Sequence, residues 1–343
     1  MDRADRAVLR LAIGIGIAVL IAYGFGLRVP FLTCVLTILL LAKPGPPMPL
    51  LKGAVMVVVI AVVLLAGVLM VPLLENYAVT ALMLTAVILY AVFLKGARSA
   101  SPLTSILAMA VTIIPAVGVA DQALVSLFSA SFAAGIAIGV LVGAATHAFF
   151  PDPPVATDGE AAAPPALSAL EARWQGLQAT LVVMPAFVLA LTNPAMYVAI
   201  IMKSVMLGQQ ASSTNAGSAG RELVGSTLMG AWLAMLVWFG LSMQPNLWML
   251  MLWIVAATLW SGAKLFGVRR TSFTPSFWVN ALVTMLIVLG PAIEDAAVGN
   301  DVYKASAVRV ALFIGVALYA WATVSLLQRW RASRSAALVF KRA

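Results

Sequence analysis

The chain has 343 residues, of which 63% are hydrophobic and only 10% charged, with a net charge of +9. Soluble domains carry roughly a quarter charged residues, so this composition excludes an ordinary soluble globule and points to a bilayer. The basic excess does not indicate nucleic acid, because its cations sit at the ends of long apolar runs.

A helix needs about 20 apolar residues to cross the hydrocarbon core. In chain order, runs nearly free of charge extend over 11–42, 53–74, 76–94, 99–120 and 122–151. After a break they resume over 174–202, 223–263, 271–293 and 310–328. Turn residues divide the longest of them: Arg28-Val-Pro30, Thr192-Asn-Pro194 and Met243-Gln-Pro-Asn246. The spans total about twelve, each predicted as a transmembrane helix. With a cytoplasmic N-terminus, this count places seventeen Lys and Arg residues inside and three outside (Arg28, Lys304, Arg309), with Lys203 within a span. That asymmetry follows the positive-inside rule and puts both termini in the cytoplasm.

Residues 151–173, rich in Pro and Ala, hold four of the twelve acidic residues and read as a cytoplasmic linker. The flanking stretches resemble each other. Each opens with a long span, a turn and a proline (Pro30, Pro194), and a shorter second span. Each later carries Ser101-Pro102 or Thr274-Pro275 and ends a span near Pro115 or Pro291. The expected fold is an all-α integral membrane protein of two parallel six-helix repeats, 1–150 and 174–328, with a basic cytoplasmic tail over 329–343. The single cysteine, Cys34, excludes a disulfide framework within the chain.

Short or interrupted helices at matched places in a repeat are the best sequence pointer to a transporter's binding site. Here the second spans qualify, with fourteen uncharged residues before Lys43-Pro44 and nine between Pro194 and Lys203. A broken helix exposes backbone donors and a positive N-terminus to an anion. Lys43, Lys52, Lys203 and Arg221 are the cations expected around such a break. Gly208, Gln209 and Asn215 belong to an expected polar loop, Gly208 to Gly220. Ser131, Gly135, Gly139, Gly143 and His147 recur every four residues, and with Gly225 and Gly230 they are expected to let helices approach closely. Glu222 is read as an inner-end neighbour of Arg221, and no carboxylate relay at mid-span is apparent. One histidine and one cysteine make no metal site, no cofactor is implied, and no Walker-type glycine loop is present.

Two segments carry a family resemblance. Leu9-Arg-Leu-Ala-Ile-Gly-Ile-Gly-Ile-Ala18, continued by 23–30, resembles the opening spans of the fusaric-acid-resistance (FUSC-like) and aromatic acid exporter proteins. Arg221-Glu-Leu-Val-Gly-Ser-Thr-Leu-Met-Gly230-Ala is similar to that family's basic residue followed by a Gly-Thr and glycine pattern. The first half matches at Lys52-Gly53 and lacks the Gly-Thr. The resemblance implies an inner-membrane efflux component of Gram-negative bacteria, exporting aromatic or other hydrophobic organic acids with a periplasmic membrane-fusion adaptor. A non-transporting scaffold subunit of an envelope complex is the alternative. Membrane lipid is an expected partner in either case, and self-association is left open.

Overall fold

A computed structural model describes residues 2–43, 50–99, 103–152, 167–212 and 216–340. These residues form twelve α-helices. They are α1 (Arg3–Gly24), α2 (Pro30–Leu41), α3 (Leu50–Asn76), α4 (Ala78–Ser99), α5 (Leu103–Ala120) and α6 (Gln122–Phe149). Then follow α7 (Ala169–Thr192), α8 (Pro194–Ser212), α9 (Ala216–Met243), α10 (Leu247–Leu265), α11 (Pro275–Val298) and α12 (Val302–Phe340). Ten are long and apolar enough to cross a membrane, and the chain is an all-α integral membrane protein.

The other two helices are the second spans that the sequence singled out, and they differ from each other. α2 has 12 residues; at 1.5 Å per residue it covers about 18 Å, short of the roughly 30 Å hydrocarbon core. It therefore cannot cross alone, and it is wrapped in protein: residues 30–39 are all buried. α8 is not short. It runs on through Lys203 to Ser212, because the side chain of that lysine is satisfied and needs no helix end. The expected loop from Gly208 to Gly220 is correspondingly helical on both sides of 213–215.

Four helices, α2, α5, α8 and α11, form the buried centre. Contacts between α2 and α5, α5 and α8, α8 and α11, and α11 and α2 close them into a ring. Every helix pairing among α1 to α6 recurs among α7 to α12 at the corresponding helices. Contacts across the two sets repeat as well: α4 meets α7 as α10 meets α1, and α5 meets α8 as α11 meets α2. The first residues of α2 and α8 line one shared cavity, and their last residues line another. Corresponding helices thus run in the same direction.

Small residues permit this packing. A Cβ on Gly135 would lie 2.8 Å from Leu36 Cδ1, and one on Gly139 would lie 2.7 Å from Leu40 Cδ1, so α6 sits directly on α2. Gly143 is looser, at 3.4 Å from Leu41 Cδ2, and His147 Nδ1 hydrogen-bonds the Gly143 carbonyl at 2.8 Å. On α9, a Cβ at Gly225 would come within 3.2 Å of Phe277, and one at Gly230 within 2.6 Å of the Ala281 carbonyl oxygen. The start of α1 is clamped to the end of α6: Arg10, nearly fully buried, donates to Asp152 at 2.9 Å. That hydrogen bond holds the Asp152 carboxyl below its usual range. The clamp is therefore complete at neutral pH and loosens as pH falls through the lowered value.

Gly230→Val would press a branched side chain into backbone and should cost roughly 2–3 kcal/mol. Gly143→Ala has ordinary contact distance and should be neutral to stabilising by up to about 1 kcal/mol. Thermal unfolding of the two variants in detergent would order them, and equal midpoints would show that α9 does not depend on this approach.

Candidate functional site

The helix ends carrying Lys43, Lys95, Arg98, Arg173, Arg221 and Lys264 form a basic end of the bundle, and those carrying Glu75, Asp121, Glu294 and Asp295 an acidic end. At the basic end a cavity of about 580 Å³ opens between the two sets of helices. Its polar wall includes Lys43, Thr104, Ser105, Gln209, Gln210 and Asn280, with Gln175 and Ser276. Leu39, Phe93, Met206, Leu265 and Val279 supply an apolar wall. Ser105 Oγ donates to Gln209 Oε1, joining α5 to α8 across the cavity.

Behind this wall lies Lys203, with 0% exposure. Its Nζ donates to Asn280 Oδ1 at 3.1 Å and to Thr284 Oγ1 at 2.7 Å. An ammonium only donates, so Asn280 must turn its oxygen toward Lys203 and its NH₂ the other way. That NH₂ donates to Gln210 Oε1 at 2.6 Å and to Ser226 Oγ at 2.7 Å. Gln210 is thereby fixed in turn, and its Nε2 donates to the Glu222 carbonyl at 3.1 Å. One cation thus sets the orientation of two amides, on α11 and α8, and through them reaches the backbone of α9. Thr284 closes the arrangement by donating to the Asn280 carbonyl at 2.6 Å.

The network ends at Glu222, which is buried and whose carboxylate accepts from the Thr274 N–H and from Thr274 Oγ1 at 2.7 Å. This differs from the expected Arg221 neighbourhood. Adjacent helix residues point about 100° apart, so Glu222 turns inward while Arg221 is exposed, its guanidinium 5.4 Å above the Phe273 ring. Lys203 and Arg221 are consequently not brought together. Gln209 and Lys43 do reach the cavity, whereas Gly208 does not; it lies where a Cβ would stand 3.1 Å from the Ala179 carbonyl of α7. Pro44, Asn215 and the Lys52 side chain lie outside the described residues.

The proline breaks are at the other end. Pro30 and Pro194 begin helices whose first turns line a second cavity of about 360 Å³ at the acidic end. Arg28, Glu294, Asp295 and Arg309 also line it, and Arg309 pairs with Asp295 at 2.7 Å. The expected grouping of Lys43, Lys203 and Arg221 around a helix N-terminus is therefore corrected: Lys43 lies past the far end of α2, Lys203 lies midway along α8, and Arg221 belongs to α9. Between the cavities the central ring is closed, with every α11 residue over 281–290 buried.

Asn280, Thr284, Gln210, Ser226 and the inward Glu222 were missed as site residues. A signal was present in each helix. Asn280 and Thr284 are four apart, as are Glu222 and Ser226, and Lys203 and Gln210 are seven apart, so each pair shares a helix face.

Residues 7–146, which span α1 to α6, match the family described as protein of unknown function DUF2955. No curated protein and no solved structure matches the chain.

Lys203→Met removes a desolvated charge but leaves the buried Asn280 Oδ1 without its donor, so it should cost about 1–3 kcal/mol. Asn280→Leu leaves the charge itself uncompensated and should cost about 3–5 kcal/mol; the comparison is read from detergent unfolding curves. Glu222→Gln should lose about 1 kcal/mol or more by weakening the hold on Thr274. Arg221→Gln should stay within about 0.5 kcal/mol. Equal losses in the Glu222 and Arg221 variants would restore the pair that the sequence suggested.

Proposed function

We propose that this chain is a transport protein of the fusaric-acid-resistance and aromatic acid exporter type, moving organic acids outward across a bacterial inner membrane. The basic end faces the cytoplasm, a reading that the charge asymmetry supports, and both termini lie on that side. The basic-end cavity receives the acid, the central ring of α2, α5, α8 and α11 forms the path, and the acidic-end cavity releases it. A periplasmic membrane-fusion adaptor would take the acid onward. The chain acts as a carrier and not as an enzyme.

The observation that carries this reading is a fully buried lysine, held only by neutral partners in its hydrogen bonds, one residue behind a cavity with a largely apolar wall. Charges at membrane depth cost at least a few kcal/mol and mark substrate or ion pathways when retained. A carboxylate would supply the missing opposite charge, and the apolar wall suits the hydrocarbon or aromatic body of the acid. A structural scaffold could use the helix contacts of such a lysine but has no need of a cavity beside them.

Lys203→Met protein should insert and accumulate normally but export benzoate about tenfold more slowly from preloaded cells or inside-oriented proteoliposomes. Undiminished benzoate flux through well-expressed Lys203→Met protein would remove the lysine from the pathway. Absence of any acid flux in the parent protein, with the adaptor present, would favour the scaffold reading.

A further inference from the structure

Lys203 is not itself in the cavity wall, yet Asn280 both lines the cavity and bonds Lys203. Among the described residues it is the one side chain that does both. Its oxygen is committed to the ammonium, so only its NH₂ is available to anything arriving in the cavity. In the present state that NH₂ is taken by Gln210 Oε1 and Ser226 Oγ, both neutral acceptors. Gln210 also lines the cavity.

Resting on the transport reading above, we propose that Asn280 is the specificity-determining residue: the ligand's carboxylate takes the place of Gln210 Oε1 on the Asn280 amide. Lys203 acts as a positioning residue behind it. The ammonium fixes which way the amide faces, and by pulling electron density toward Oδ1 it makes the NH₂ a stronger donor. A carboxylate is the better acceptor for that donor, because hydrogen bonds with one ionised partner are roughly twice as strong as neutral ones. Gln210 is thus a resident stand-in for the ligand, keeping the donor satisfied while the cavity is empty. The exchange draws Gln210 Oε1 away from Asn280 and from Ser226 Oγ, and leaves the Lys203 to Asn280 and Lys203 to Thr284 bonds in place.

This arrangement selects a carboxylate with an apolar body. One amide backed by one buried cation compensates a carboxylate at Asn280, Lys43 at the mouth is the other cation lining the cavity, and Leu39, Phe93, Met206 and Leu265 offer apolar contact to the rest of the ligand. A neutral amide of the same shape would be held less well, since it brings a weaker acceptor and no charge.

The test is ligand preference, measured by titration calorimetry on the full chain in detergent with benzoate and with its neutral isostere benzamide. The parent should prefer benzoate. Asn280→Asp replaces the donor by a carboxylate that pairs directly with Lys203, so the protein should fold. Its benzoate affinity should fall by about tenfold or more while benzamide, whose NH₂ can now donate to the new carboxylate, is retained, which reverses the preference. A purely structural role would lower both ligands together. As an independent arm, Gln210→Leu removes the competing acceptor and should tighten benzoate by roughly two- to tenfold, the worth of one net hydrogen bond. An unchanged benzoate preference in Asn280→Asp, or weaker benzoate binding in Gln210→Leu, overturns the assignment of Asn280 while leaving Lys203-dependent transport standing. A parent that binds neither ligand overturns the transport reading and this assignment together.

Discussion

An ammonium group cut off from water has to find acceptors, and in this protein that need organises the second set of helices. Lys203 is completely enclosed and draws both of its observed acceptors, Asn280 and Thr284, from α11. Hydrogen bonds then pass outward in a single direction, from the lysine to Asn280, from Asn280 to Gln210, and from Gln210 to the backbone of α9. Reversing either amide would set donor against donor. The register of three helices is thereby tied to the placement of one charge, in a setting where apolar packing alone discriminates weakly because lipid is as apolar as the helix surfaces.

The two sets of helices share their packing scheme but not their chemistry. Aligning the two second helices on their opening prolines sets Leu39 opposite Lys203, and Leu39 belongs to the apolar wall of the same cavity. Lys43 is the cation the first set contributes to that cavity, at the mouth and not in the interior. The first set adds Lys43, Thr104 and Ser105 to the cavity wall, while the second carries the buried lysine and its network. Under the function proposed above, this asymmetry would give the ligand one orientation, carboxylate toward α8 and α11 and body toward Leu39 of α2 and Phe93 of α4.

Much of the architecture was legible in the sequence, because hydrocarbon thickness and backbone hydrogen bonding leave few alternatives to a row of apolar helices. The recurrence of prolines suggested two matching sets of helices, and the glycine spacing on α6 marked a face for close packing without saying which helix would meet it. Lys203 stood out because it interrupts an apolar run. What could not be read was direction and depth. Proline followed by a cation looked like one broken segment, whereas a continuous helix can bury a lysine if another helix brings acceptors, and those acceptors lie 77 and 81 positions away. For the same reason Arg221 drew attention that belonged to Glu222: two adjacent ionisable residues differ in facing, and a sequence alone does not say which of them points inward. The 12-residue α2 was misleading in the opposite sense, since its brevity reflects burial among α1, α6 and α11.

The shared direction of corresponding helices has a consequence for how such a molecule could work. In carriers whose halves are inverted copies, exchanging the shapes of the two halves converts a state open on one side into a state open on the other, so one sequence encodes both by symmetry. Here α2 and α8 both begin at the acidic end, and the approximate twofold maps each membrane face onto itself. Exchanging the halves would return the same opening on the same side. If the chain carries its ligand as proposed, a conformation that opens the acidic end and closes the basic one would have to be specified separately, by contacts other than these, within helices whose packing partners it would have to change.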